Sequence, residues 1–119
     1  MITRFLKRFP HALRGILYAL RHDFGFRTQF YTALFLSVVI TYVFSPLSAT
    51  EFLFLATAAM FVLITELQNS AIEVALDRLH PELHDAIKRS KDMAAGAVLL
   101  AGTYALLVIV IVAADRIVL

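Results

Sequence analysis

The chain is 119 residues long, 61% hydrophobic and 17% charged, with a mean hydropathy of +0.80, whereas soluble domains are roughly half apolar and a quarter charged. This composition excludes an ordinary soluble domain, and the length allows three helical membrane crossings of about 20 residues plus one flanking segment, read as a single membrane domain spanning 1–119. With no cysteine, disulfides and thiolate metal sites are excluded, and the net charge of +2 conceals two clusters holding ten of the eleven Lys and Arg residues, a pattern that argues for a membrane partner and against nucleic acid.

Residues 2–27 interleave Phe5, Leu6, Phe9, Leu13, Ile16, Leu17 and Leu20 with Arg4, Lys7, Arg8, Arg14 and Arg21 at broadly helical spacing. This predicts an amphipathic helix lying on the membrane surface, bent at Pro10. Basic residues recur too often for a cleaved secretory signal, so the segment is expected to be retained. Residues 28–45 form the first expected crossing, uncharged from Phe30 to Phe44. Pro46 then breaks the helix, and Ser48 or Thr50 is placed to cap the next one.

The second expected crossing, about 51–77, is apolar from Phe52 to Thr65 and then carries Glu66, Asn69, Glu73 and Asp77. His80-Pro81 ends it, and Glu82, His84, Asp85, Lys88, Arg89 and Lys91 make a polar connection. The third expected crossing, about 92–114, opens with the small residues Ala94, Ala95, Gly96 and Ala97, which suit close helix packing. Six cations lie before or at the start of the first crossing and four between the second and third, with none in the turn before Glu51. The N-terminus and the second connection are therefore expected in the cytoplasm and the C-terminus on the far side.

The spacing of Glu66, Asn69, Glu73 and Asp77, by 3, 4 and 4 residues, places all four on one helical stripe. Eleven residues at 1.5 Å each separate Glu66 from Asp77 by roughly 16 Å, so Asp77 reaches the surface while Glu66 enters the acyl region. A buried acid of this kind costs about 3 kcal/mol even on lenient insertion scales. Pairing with a basic residue of another helix accounts for one such acid more easily than for two and an amide. Lys91 and Asp92 open the third crossing at the depth expected for Glu73, so cation and carboxylates can converge on a phosphate and a metal ion. The glycines Gly15, Gly25, Gly96 and Gly102 form no phosphate loop; any nucleotide site must be built from side chains.

The run Glu66-Leu67-Gln68-Asn69-Ser70-Ala71-Ile72-Glu73, then Asp77, then Lys91-Asp92-Met93-Ala94-Ala95-Gly96-Ala97-Val98, resembles the prokaryotic diacylglycerol kinase family, which also contains undecaprenol kinases. The resemblance extends from about Arg4 into the third crossing. It implies an all-α integral membrane homotrimer of the bacterial inner membrane, with ATP and Mg²⁺, transferring the γ-phosphoryl group to a lipid hydroxyl. Glu66 then corresponds to the catalytic base, and Glu73 and Asp23 to metal ligands, Asp23 standing one methylene short of the family's usual glutamate. Arg4, His11, Asp23, Glu73, Glu82, Leu83, His84, Lys91 and Asp92 correspond to nucleotide-binding positions. Glu66, Asn69 and Ala95 correspond to the lipid-binding ones.

Lys91-Asp92-Met93 resembles diacylglycerol kinases, whereas Ala94 to Val98 and Glu51 resemble undecaprenol kinases; diacylglycerol is taken as the acceptor and undecaprenol as the alternative. From another class, a non-enzymatic membrane oligomer could line an ion pathway with Glu66 and Glu73. A pathway would have to cross Phe52 to Leu63, which offers no ionisable residue.

Overall fold

A computed structural model of the chain describes residues 1–82 and 84–118, with the side chain of Val118 excepted. Among these residues the fold is entirely helical, in the order α1 (Ile2–Leu6), α2 (Phe9–His22), α3 (Phe24–Val43), α4 (Ala49–Leu79) and α5 (Asp85–Val118).

The expected surface helix over 2–27 is divided between α1, α2 and the first turn of α3. The first break falls at Lys7 and Arg8 rather than at Pro10, because Pro10 sits in the first turn of α2, where its missing N–H leaves no bond unmade. The second break is Asp23, whose extended backbone ends α2 and whose side chain caps α3 by accepting the Phe26 N–H at 2.7 Å. Arg27 donates to the Arg21 carbonyl at 3.2 Å, satisfying one of the free acceptors at the end of α2. Asp23 thus has a local reason to sit where surface segment and bundle meet.

Ser48, not Thr50, caps α4. Its hydroxyl accepts the Glu51 N–H at 3.1 Å while Glu51 Oε1 accepts the Ser48 N–H at 3.0 Å, a reciprocal capping box. From there α4 runs 31 residues without a break and α5 runs 34, roughly 46 and 51 Å at 1.5 Å per residue. Both are long and apolar enough to cross a membrane, and both exceed a 30 Å hydrocarbon core, so each projects beyond it. The seven residues before Asp92, expected as a polar connection, are instead the first two turns of α5.

Helices α4 and α5 form the main packing pair, with α3 against α4 and α2 against both α3 and α4. Ala58 of α4 meets Val108 and Val112 of α5, flanked by Leu55, Tyr104 and Ala105, and the Phe61 and Tyr104 rings pack edge to face at 5.8 Å. A small residue at the contact lets the backbones approach closely. The hydroxyls of Ser37, Thr57, Thr65 and Thr103 each donate to the carbonyl four residues back, at 2.6 to 2.8 Å. They remain satisfied without water. Leu99 and Leu100, at 72% and 73% exposed, are typical of the outward surface, which is apolar on a scale that water does not tolerate.

At the end of the bundle formed by the α3–α4 turn, Arg116 grips Glu51 through two bonds, Nη2 to Oε1 at 2.7 Å and Nε to Oε2 at 3.0 Å. It also donates to the Pro46 carbonyl at 2.7 Å. This bidentate fork fastens the last turns of α5 to the turn between α3 and α4.

Candidate active site

Glu66 lies in the middle of α4, only 9% exposed, beside the equally buried Ser70. Its carboxylate rests against the first turn of α3. A methyl group added at Gly25 would collide with Glu66 Oε1 and come within 3.4 Å of Asp23 Oδ1. The absent side chain of Gly25 is therefore what lets the carboxylates of Asp23 and Glu66 approach. Asp23 and Glu73 are also the charged groups whose fields act on Glu66. Among the described residues none of these three acids is in an ion pair.

One turn along from Glu66, the side-chain oxygen of Asn69 is shielded from solvent and accepts no hydrogen bond among the described residues. A buried acceptor left open in this way costs about 1 to 3 kcal/mol. Glu73 and Asp77, further along the same stripe, are exposed. The stripe thus runs from a buried acid through an unpartnered amide to exposed acids.

Lys91 does reach this stripe from α5, but its ammonium pairs with Asp77, one turn beyond Glu73. Asp92 turns the other way and accepts from Lys88 at 2.8 Å. The remaining sequence candidates are more scattered. Arg4 is exposed on α1, and His11 on α2 accepts a hydrogen bond from Arg14, three residues on. Glu82 lies 3.9 Å from His80, while His84 Nδ1 accepts the Ala86 N–H at 3.1 Å and so helps to open α5. Ala95 is exposed on α5, and Leu83 lies outside the described residues.

A cavity of about 200 Å³ lies between α3 and α4, with Ala105 and Ile109 of α5 also on its wall. Gln29 and Val62 line one end of it, each one helical turn from Gly25 and Glu66 respectively. Leu36 and Ile40 follow along α3, and Leu47 and Phe52, at the α3–α4 turn, line the other end. The apolar groove therefore begins where the carboxylate cluster ends. Gly25, Gln29 and the groove were missed by sequence reasoning; the one available signal was a glycine two residues after Asp23.

Among the described residues, no three His, Cys, Asp or Glu side chains converge closely enough to hold a metal ion unaided. Mg²⁺ does not require that, since it is commonly held by one or two carboxylates together with phosphate oxygens and water. Asp23 and Glu73 supply hard oxygen donors beside an acid they both repel, so the donor chemistry fits.

The combination is an all-helical chain with two helices long and apolar enough to cross a membrane, a buried carboxylate, exposed acids further along the same helix and a mostly apolar groove that begins one turn away. The family model for prokaryotic diacylglycerol kinase matches residues 10–113. The diacylglycerol kinase of Escherichia coli strain K12 is 35% identical over 99 residues, covering 83% of this chain and 80% of that protein. The undecaprenol kinase of Bacillus subtilis strain 168 is 40% identical over 99 residues, covering 82% and 77%. The diacylglycerol kinase of Synechocystis is 35% identical over 104 residues, covering 87% and 58%. The chain belongs to the prokaryotic diacylglycerol kinase family, and it is an enzyme of the kinase class.

Proposed function

We propose that the chain transfers the γ-phosphoryl group of MgATP to the hydroxyl of diacylglycerol, giving phosphatidic acid. The observation that carries this reading is the placement of Glu66, a buried carboxylate one turn from the end of a mostly apolar groove on one side and followed by the exposed acids Glu73 and Asp77 on the other. A lipid hydroxyl carried on acyl chains would approach from the groove, and a nucleotide from the aqueous side. Holding the two reactants in line is the larger part of phosphoryl-transfer catalysis.

In this reading Glu66 accepts the proton of the attacking hydroxyl. Asn69 offers its open side-chain oxygen to the acceptor, and Ala95 leaves room for it. Asp23 and Glu73 would hold Mg²⁺, which when bound neutralises charge on the phosphate oxygens. Lys91, released from Asp77 one turn beyond Glu73, binds phosphate, with Asp92 next to it in sequence. Arg4, His11, Glu82, Leu83 and His84 complete the nucleotide contacts.

Helix α3 is read as a third crossing on its length, since its 20 residues extend roughly 30 Å, whereas α4 and α5 are also apolar enough to cross. The two basic clusters support a cytoplasmic active site in the inner membrane. The homotrimer is what the family resemblance implies, with the site shared between neighbouring copies. An undecaprenol acceptor is the second reading, favoured by the 40% identity to the Bacillus subtilis undecaprenol kinase. The test is transfer of labelled phosphate from ATP to diacylglycerol and undecaprenol presented together in mixed micelles. Faster labelling of diacylglycerol is expected; a strong preference for the polyprenol replaces the acceptor, and labelling of neither overturns the proposal.

A further inference from the structure

The groove between α3 and α4 has an end away from Glu66, and that end is made by two residues of different origin. Leu47 comes from the turn between the helices and Phe52 from the first turn of α4. From Gln29 to Thr41 the lining follows α3 for twelve residues, roughly 18 Å at 1.5 Å per residue. A chain entering at Gln29 and Val62, one turn from Glu66, would run along a mostly apolar lining and meet Leu47 and Phe52 at the far end.

The position of that stop is not left to the turn alone. Arg116, 70 residues from Pro46 in sequence, donates to the Pro46 carbonyl immediately before Leu47 at 2.7 Å. The same guanidinium is fixed by both oxygens of Glu51, immediately before Phe52. Glu51 in turn closes the capping box with Ser48. One cation from the end of α5 thus holds the backbone just before Leu47 and the side chain of the residue just before Phe52. A planar fork with several donors can do this, and a lysine ammonium can do it only in part.

Resting on the proposed lipid acceptor, we infer that Leu47 and Phe52 set the acyl-chain length the enzyme prefers, and that Arg116 is a positioning residue holding that stop in place. The occupant of the groove is the hydrocarbon chain of the acceptor, because the groove begins one helical turn from Gly25 and Glu66, at Gln29 and Val62, and most of its lining is apolar. Each methylene gained or lost from such burial changes relative affinity by about fourfold. The stop therefore has ample energetic leverage on substrate choice.

The test compares kcat/KM of the full-length protein in mixed micelles for dioctanoyl-, dimyristoyl- and distearoylglycerol. Leu47→Ala and Phe52→Ala are expected to shift the profile toward the longer chains, raising the long-to-short ratio about fourfold for each methylene newly accommodated. Leu47→Trp is expected to shift it toward the shorter ones. Arg116→Ala is expected to flatten the profile, and Arg116→Lys to restore part of its shape. If Arg116→Ala does not assemble, Leu47→Ala, which leaves the Arg116 bonds intact, decides. An unchanged length profile in the assembled Leu47 and Phe52 variants, whatever their absolute rates, overturns the inference. Glu66→Gln, assayed alongside, separates the two levels. Parental activity in that variant removes the site reading itself, whereas its inactivity with unchanged profiles elsewhere removes only the chain-length stop.

Discussion

At the turn between α3 and α4, Glu51 receives two bonds from Arg116 and completes a capping box with Ser48, and the spare donor of Arg116 goes to Pro46. Toward the other end of the same bundle, the carboxylates of Asp23 and Glu66 approach each other around Gly25 with no ion-pair partner among the described residues, and Asn69 holds an unpartnered oxygen. The first arrangement is what burial of polar groups requires for stability. The second spends stability, and such an arrangement persists where chemistry needs open acceptors. The same helices therefore separate a fastening from a reaction centre, and substitutions at the two ends should fail in different ways.

The largest expected effect is at Glu66. Glu66→Gln keeps the size and a hydrogen-bonding group but removes the proton acceptor, so turnover should fall about 100-fold or more while MgATP binding stays near parental. Single-turnover kinetics together with nucleotide titration check this. Near-parental turnover in correctly assembled protein would assign Glu66 to packing and dissolve the contrast between the two ends.

Asp23 tests whether its cap and its charge can be separated. Asn caps a helix about as well as Asp, so Asp23→Asn should preserve thermal stability while raising the KM for MgATP on the order of tenfold, the scale on which groups around a metal site commonly act. Magnesium titration of the variant against the parent sharpens the assignment, since a metal role predicts that excess Mg²⁺ recovers part of the loss.

At the fastening end the readout is stability. Glu51→Ala and Arg116→Ala should each lower the thermal midpoint by a few degrees, and the double variant should lose less than the sum of the two, because they share one interaction while Glu51 alone closes the capping box and Arg116 alone bonds Pro46. Additive losses would show that the two residues act separately. Ser48→Ala should have the smallest effect, about 1 kcal/mol from loss of the cap, with labelling of diacylglycerol nearly unchanged.

The sequence supplied the acid stripe of α4 directly, because helical periodicity puts Glu66, Asn69, Glu73 and Asp77 on one side whatever they pack against. It also supplied an all-helical membrane chain, since long apolar runs leave the backbone no other way to bond in lipid. The residues Glu66 to Glu73 and Lys91 to Val98 are by themselves enough to resemble the family to which the chain belongs. Ser48 was legible as one of two capping candidates, and the structure chose it through Glu51.

What only the tertiary structure decided are the meetings between residues distant in sequence. Lys91 pairs with Asp77 where convergence with Glu73 was expected, because it lies on another helix whose phase and depth are set by packing. Gly25 meets Glu66 across α3 and α4, and Arg116 meets Glu51 and Pro46 across nearly the length of the chain. Periodicity fixes which face of one helix a residue occupies, but not the rotation and offset of that helix against its neighbours. Those follow from side-chain interdigitation such as that of Ala58 with Val108 and Val112, and they place the groove beside Glu66.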